Sequence, residues 1–449
     1  MEQALFSKSD LKKLILPLLF EQALTLTVGM ADTMMIASAG EAAVSGVSLV
    51  DMFNTLIISI LTALSTGGAV VASQYLGAKK RGDACESARQ LLVSSTIITI
   101  GISIIILILH NPIISLFFGK IEADVFRNCV TYLIISALSF PFLAIYNSCS
   151  AIFRSMGNSK ITLQIAVVEN IINICGNAIG MYIFHAGVAG VAIPSLISRA
   201  VAGFILYYLL KNPKNEIYLS NEKFKFDLPM IKKILHIGIP SGIENGIFQL
   251  GRVIVVSIIA SFGTIQIAAN GVSNGLDSMG CIVGQAMNLA MITVIGRCVG
   301  TGKESLVRHY TKKLMLITYS YTFCLNLVIV LLLPWILKLY GLSNDTTHLS
   351  YILVMIHDIA AILLWPLSFT LPNMLRACND VRFTMFISIL SMFTFRIFFS
   401  LLLGVYMGYG AIGVWIAMLL DWIFRIICFV TRYFTGHWKK AAHLTEEIA

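Results

Sequence analysis

Twelve apolar stretches, each long enough to cross a bilayer, follow one another along the 449 residues and leave little chain for anything else. A spanning helix needs roughly 20 mostly apolar residues, because inside hydrocarbon no water can satisfy backbone that leaves the helix. The spans read as 11–36, 46–73, 88–110, 126–150, 161–184, 188–210, 231–261, 267–296, 306–336, 348–374, 383–407 and 410–434. The chain is 57% hydrophobic and only 12% charged, against about 25% charged in soluble domains. The expected fold class is therefore an all-α integral membrane protein with twelve transmembrane helices.

Charge gives the expected orientation. Of the 32 Lys and Arg residues, 25 fall in loops and tails on one face, and Lys120, Arg127 and Lys338 fall on the other. The remaining four lie within spans. The positive-inside rule then places both termini in the cytoplasm of a multi-pass inner (plasma) membrane protein. The net charge of +9 reads as a basic face against the lipid bilayer rather than a nucleic-acid surface. Lys12 and Lys13 lead directly into the first span, so that span is expected to be retained. The nine cysteines are an odd number without metal-type spacing and read as small packing residues.

Sliding the sequence on itself reveals a duplication. An offset of 223 carries Pro17 to Pro240, Glu21 to Glu244, Gly40 to Gly263, Gly77 to Gly300 and Lys80 to Lys303. FRSMGNSK (153–160) matches LRACNDVR (375–382) at 222, and GVAGVAI (187–193) matches GAIGVWI (410–416) at 223. The expected organisation is two six-helix bundles, 1–210 and 231–449, joined by a cytoplasmic linker at 211–230. Both bundles begin inside, which makes the repeat parallel and pseudo-two-fold about an axis near the membrane normal. Secondary transporters use such repeats, with substrate bound near the midplane and alternating access to either side.

Ionisable residues within spans need an explanation, since even the mildest insertion scale charges about 2.5 kcal/mol for one. Asp32 and Glu21 are eleven residues apart, within about 20° on one face of the first helix, and Pro17 beside them removes a helical hydrogen bond. In the fifth span, Asn170, Asn173 and Asn177 form an amide face. Ser195 and Arg199 are i, i+4 in the sixth and suit the same wall. Asn173 and Asn177 can turn amide oxygens toward Asp32, whereas Asn170 serves equally as interhelical glue. Asp51 and Asn54 map by 223 onto Asn274 and Asp277, the same types exchanged, either as gating hydrogen bonds between halves or as plain structure. Asp421 and Arg425 are expected to neutralise one another, and Glu244 or Asp358 to partner Arg252 and Arg396. The histidines are scattered, with no zinc-protease, nucleotide-binding or serine-nucleophile motif. No enzyme and no cofactor is expected, so an ion gradient is left to drive any uphill movement.

The first span with ADTMMIASAG, the loop QYLGAKKRGDA (74–84), FRSMGNSK, and their second-half counterparts GRCVGTGK and LRACND resemble the multidrug and toxic compound extrusion family, in its DinF-like branch, from about residue 10 to 435. The resemblance implies a V-shaped pair of six-helix bundles that exports small cationic or amphipathic compounds in exchange for H+ or Na+. It implies a coupling-cation site at Asp32, Asn173, Asn177 and Ser195, where Asn177 replaces the family's usual acid and Ser195 its threonine. With one carboxylate left, H+ is easier to justify than Na+, although Na+ at these four residues stays open. Glu244, with Glu21 as its counterpart, is a candidate for cationic substrate or a second proton, or each braces its helix. A monomer is expected. A lipid-precursor flippase of the same architecture and a non-transporting scaffold are the alternatives.

Overall fold

The computed structural model describes residues 5–119, 121–220 and 223–444. Lys120, which the charge argument placed on the outer face, lies outside the described residues, as do 221–222 of the linker and both extreme termini. Among the described residues, twelve helices are long and apolar enough to cross a membrane. They are α1 (Lys8–Ala37), α2 (Glu41–Gly77), α3 (Arg81–Phe118), α4 (Ala123–Ser155), α5 (Ser159–Ile183), α6 (Ala189–Leu210) and α7 (Leu228–Ala260), then, after the shorter α8 (Thr264–Gly280), α9 (Ile282–Gly300), α10 (Glu304–Leu339), α11 (Asn344–Ala377), α12 (Val381–Tyr406) and α13 (Gly410–Thr435).

Local chemistry sets the ends of these helices. Ser7 caps α1 reciprocally: the Asp10 amide donates to Ser7 Oγ at 3.1 Å and the Ser7 amide donates to Asp10 Oδ2 at 2.9 Å. The helix runs on through Pro17 without interruption. In α3 the backbone departs from helical geometry at Leu109 (φ −106°, ψ 16°), three residues before Pro112, where the proline ring crowds the preceding turn. The expected eighth span, 267–296, is instead two helices that break at Cys281.

The duplication is written in the backbone as well as the sequence. Gly40 and Gly263 hold φ at 96° and 100°, a region that a Cβ makes costly, which explains glycine at both. Lys79 and Gly302 (59° and 75°), and Gly187 and Gly410 (56° and 58°), repeat the same left-handed turns at the same offset. Packing repeats too: α4 lies against α2, α3 and α6, and its counterpart α11 lies against α8, α10 and α13.

The chain divides into two compact units, one from Phe6 to Gly242 and one from Ile243 onward. The division falls inside α7 because the start of that helix packs with the first unit. A Cβ on Gly67 would meet the Gly238 amide nitrogen at 2.8 Å, so the two helices approach at backbone distance, and Lys233 Nζ donates to the Tyr75 hydroxyl at 2.8 Å. Arg81 secures the preceding linker by donating to the carbonyls of Glu216, Pro213 and Asn215 at 2.8–2.9 Å.

Candidate cation site

In the N-terminal unit α1 docks on α5 through the two acids of its polar face. Near one end Glu21 is buried, with Arg154 Nη1 at 3.2 Å from Oε1 and Thr162 donating to Oε2 at 2.8 Å. Both carboxylate oxygens are therefore engaged. Near the other end, half-buried Asp32 accepts from Asn177 Nδ2 at 2.8 Å. The same nitrogen donates to Asn173 Oδ1 at 3.2 Å, and Asn173 Nδ2 donates to Ser195 Oγ at 2.9 Å, whose own proton goes to the Val191 carbonyl. One hydrogen-bonded string thus joins four residues on α1, α5 and α6. Asn177 is fully buried, yet its Oδ1 has no partner.

Around this string the remaining groups make their hydrogen bonds elsewhere, although Asp51 and Arg199 act on Asp32 from a distance. Arg199 Nη1 donates to Ser139 Oγ at 2.8 Å. Asn170 stays half-buried one turn from Asn173 and outside the string. Asn54 Nδ2 donates to Ser136 Oγ at 3.0 Å within the same unit, and Asp51 lies beside Tyr132, Asn54 and Arg199. Glu169, which the sequence reading passed over, sits near Tyr146 and Arg199. Its place directly before the asparagine face of α5 was the available signal.

The C-terminal unit answers with different chemistry. Glu244 Oε1 gathers Arg376 Nη2 at 2.7 Å, Arg425 Nη2 at 3.9 Å and the Ser388 hydroxyl, while Oε2 is buried without a partner. Asp421 and Arg425 act on one another electrostatically, as expected, but their direct contacts go elsewhere. Asp421 is short enough to turn onto the Ser391 hydroxyl and has Arg396 Nη1 at 3.8 Å, while the longer Arg425 reaches Glu244 and stacks over Phe369 at 4.5 Å. Arg396 is thereby assigned to Asp421 rather than to Glu244 or Asp358. Asp277 meets His357, whose Nδ1 is 2.8 Å from Asp358 Oδ1. His357 is buried in α11 rather than near a span end, a placement that the scattered histidine pattern did not reveal.

Comparison with known proteins fits this duplicated frame. The MatE family pattern matches twice, over residues 17–179 and 240–402, and the two matches stand 223 residues apart. The chain belongs to the MatE family. Among MatE relatives, the uncharacterized transporter YisQ of Bacillus subtilis (strain 168) is 26% identical over 96% of this chain and 97% of its own length. The probable multidrug resistance protein NorM of Thermotoga maritima is 25% identical over 98% of this chain and 95% of its own. A crystal structure of MATE in the bent conformation shares the fold with a TM-score of 0.85, 19% identity and 97% coverage of both chains. A MOP superfamily transporter from Pyrococcus furiosus, described as having a binding pocket of reverse polarity, also scores 0.85 at 18% identity, covering 98% of this chain and 97% of its own.

Proposed function

We propose that this MatE protein is a secondary active efflux antiporter, expelling small cationic or amphipathic compounds in exchange for H+ taken up at Asp32. Supporting this reading are relatives named as multidrug resistance proteins and a carboxylate inside a bilayer-length helix whose direct hydrogen-bond donor is the neutral Asn177 amide, with Arg199 acting on it only from a distance. The observation that carries the reading is the orientation of Asn177. Its NH2 group faces Asp32 and Asn173, so the carboxylate is held by a donor, which suits a proton-accepting anion and opposes a bound Na+. Sodium would need the amide oxygen turned inward and would keep a single full negative charge among its ligands. Protonation of Asp32 removes the charge that strengthens this bond while leaving Oδ1 able to accept, and the string through Asn173 to Ser195 carries the weakening from α1 to α5 and α6.

The excess of Lys and Arg on one face supports cytoplasmic termini in the plasma membrane. For a flippase of anionic lipid precursors a basic interior would be expected. Within the N-terminal unit Asp32, Asp51 and Glu169 outnumber Arg199, while Glu21 and Arg154 cancel. Glu21 and Glu244 act as braces in this scheme.

Asp32→Asn keeps the shape and a hydrogen bond to Asn177 but removes the titrating group. The expected outcome is a folded protein that no longer moves a fluorescent cation out of pH-jumped proteoliposomes. Wild-type efflux from that variant would end the proton assignment.

A further inference from the structure

We infer that the C-terminal unit carries a binding site for a divalent cation of the zinc class, formed by Asp277, Cys281 and His357. Asp277 and Cys281 are one helical turn apart at the point where α8 breaks, so carboxylate and thiol emerge on one side. His357 arrives from α11. Its Nε2 lies against Asp277 Oδ1, and Cys281 Sγ is 3.2 Å from the same oxygen. The three donor atoms fall within 4.8 Å of one another. Tetrahedral ligands at metal bonds of about 2.0–2.3 Å are separated by roughly 3.5 Å, so this set closes on a metal with small side-chain movements.

The surroundings supply what such a site needs beyond its ligands. Asp358 holds His357 Nδ1 at 2.8 Å, which fixes the ring so that a metal displacing the Nε2 proton would find its lone pair aimed at Asp277 and Cys281. Two further acceptors in this region, Asn326 Oδ1 and Asp358 Oδ2, are buried without partners, and a Cβ on the intervening Gly280 would lie 2.6 Å from the first of them. Unpaired buried acceptors beside two carboxylates call for a cation. Arg252 acts on Asp277 only from a distance, and Arg396 is turned to Asp421. Trp415 and Trp422 meet the imidazole edge-on with ring centroids at 6.0 and 5.4 Å and keep that side dry. The Asp277 side chain is 22% exposed, which gives a path in and an open coordination position. Nitrogen, sulfur and one carboxylate select a borderline-soft metal over Na+, Mg2+ or Ca2+.

The test uses the full chain, freed of any affinity tag, in lipid nanodiscs, with the exposed Cys175 and Cys324 replaced by alanine. Co2+ is the first probe. A 1:1 complex with a thiolate-to-cobalt charge-transfer band is expected, lost in Cys281→Ser and displaced by Zn2+. Asp358→Asn, which reaches the metal only through the His357 ring, should weaken Zn2+ about 10- to 100-fold. Zn2+ should raise the melting temperature of the parent but not of Cys281→Ser, a readout that stands even if His357→Gln misfolds. No thiolate band in the parent, or Zn2+ affinity unchanged by Cys281→Ser, would reduce the cluster to an internal Asp–His ion pair and overturn the assignment.

Discussion

At the 223-residue offset Asp51 and Asn54 of α2 correspond to Asn274 and Asp277 of α8, and the exchange of types goes with two different interiors. In α2 the inner position is the amide Asn54, which is buried and donates to Ser136 of α4. In α8 the inner position is a carboxylate, and the counterpart of α4 meets it with His357 beside Asp358. The helix also differs: α2 runs unbroken from Glu41 to Gly77, while its copy breaks at Cys281, directly after the acid. A neutral amide–hydroxyl pair needs no third party, whereas two carboxylates around one imidazole do. The first unit therefore keeps its unpaired acid on α1, at Asp32, and the second keeps its acids on α8 and α11. One ancestral arrangement of helices has been given two polar sites of different chemistry.

What the units share is a brace. Glu21 with Arg154, and Glu244 with Arg376, tie the first helix of each repeat to the end of the fourth. Breaking a buried pair from one side leaves an uncompensated charge and costs about 3–5 kcal/mol. Glu244→Gln should fall at the top of that range, because both Arg376 and Arg425 lose their anion, and Glu21→Gln at the bottom, because only Arg154 does. Thermal melting in detergent measures both. If Glu244→Gln abolishes cation efflux with melting unchanged, Glu244 is a transport residue and the brace is confined to the first unit.

A smaller effect tests the neutral half of the comparison. Asn54→Ala removes the donor to Ser136 without stranding a charge, so about 1–3 kcal/mol is expected, with efflux retained. Loss of efflux at full stability would instead make α2 part of a gate.

The repeat, the twelve spans and the Asp32 string were legible in the sequence because each depends on fixed spacing within a helix or a fixed offset along the chain. Helical periodicity places Glu21 with Asp32, and Asn173 with Asn177, on shared faces whatever lies opposite. The braces were hidden because their partners are separated by more than 130 residues, although Arg154 and Arg376 stand at one place in the two matching loops. Asp421 and Arg425 show the limit of spacing arguments. They are one turn apart and feel one another's charge, yet the direct contact of each is on another helix, because a short side chain and a long one reach different neighbours. His357 was unreadable for the same reason: its meaning comes from α8, and no periodicity within α11 points there. The helix break at Cys281 carries no proline or glycine pair of the kind that marks breaks in sequence; Gly280 alone precedes it.

The smallest expected effect is also the sharpest probe of why the two polar sites differ. Asn177→Asp gives the first unit what the second already has, two carboxylates in one buried place. The new acid replaces the nitrogen that donates to Asp32 and Asn173, so oxygen faces oxygen where a hydrogen bond stood. Two like charges at that distance cannot both persist without a cation between them. Asn173 and Ser195 already contribute neutral oxygens beside them. Hard cations favour such an anionic oxygen set, so Na+ should stimulate efflux by the variant about fivefold, equivalent to about 1 kcal/mol, while the parent responds to pH and ignores Na+. Sodium titration of substrate efflux at fixed pH in proteoliposomes measures both proteins side by side. A parent already stimulated by Na+ would mean that Asn177 turns its oxygen inward during transport, and the contrast drawn here between a donor-held and a cation-seeking acid would fail.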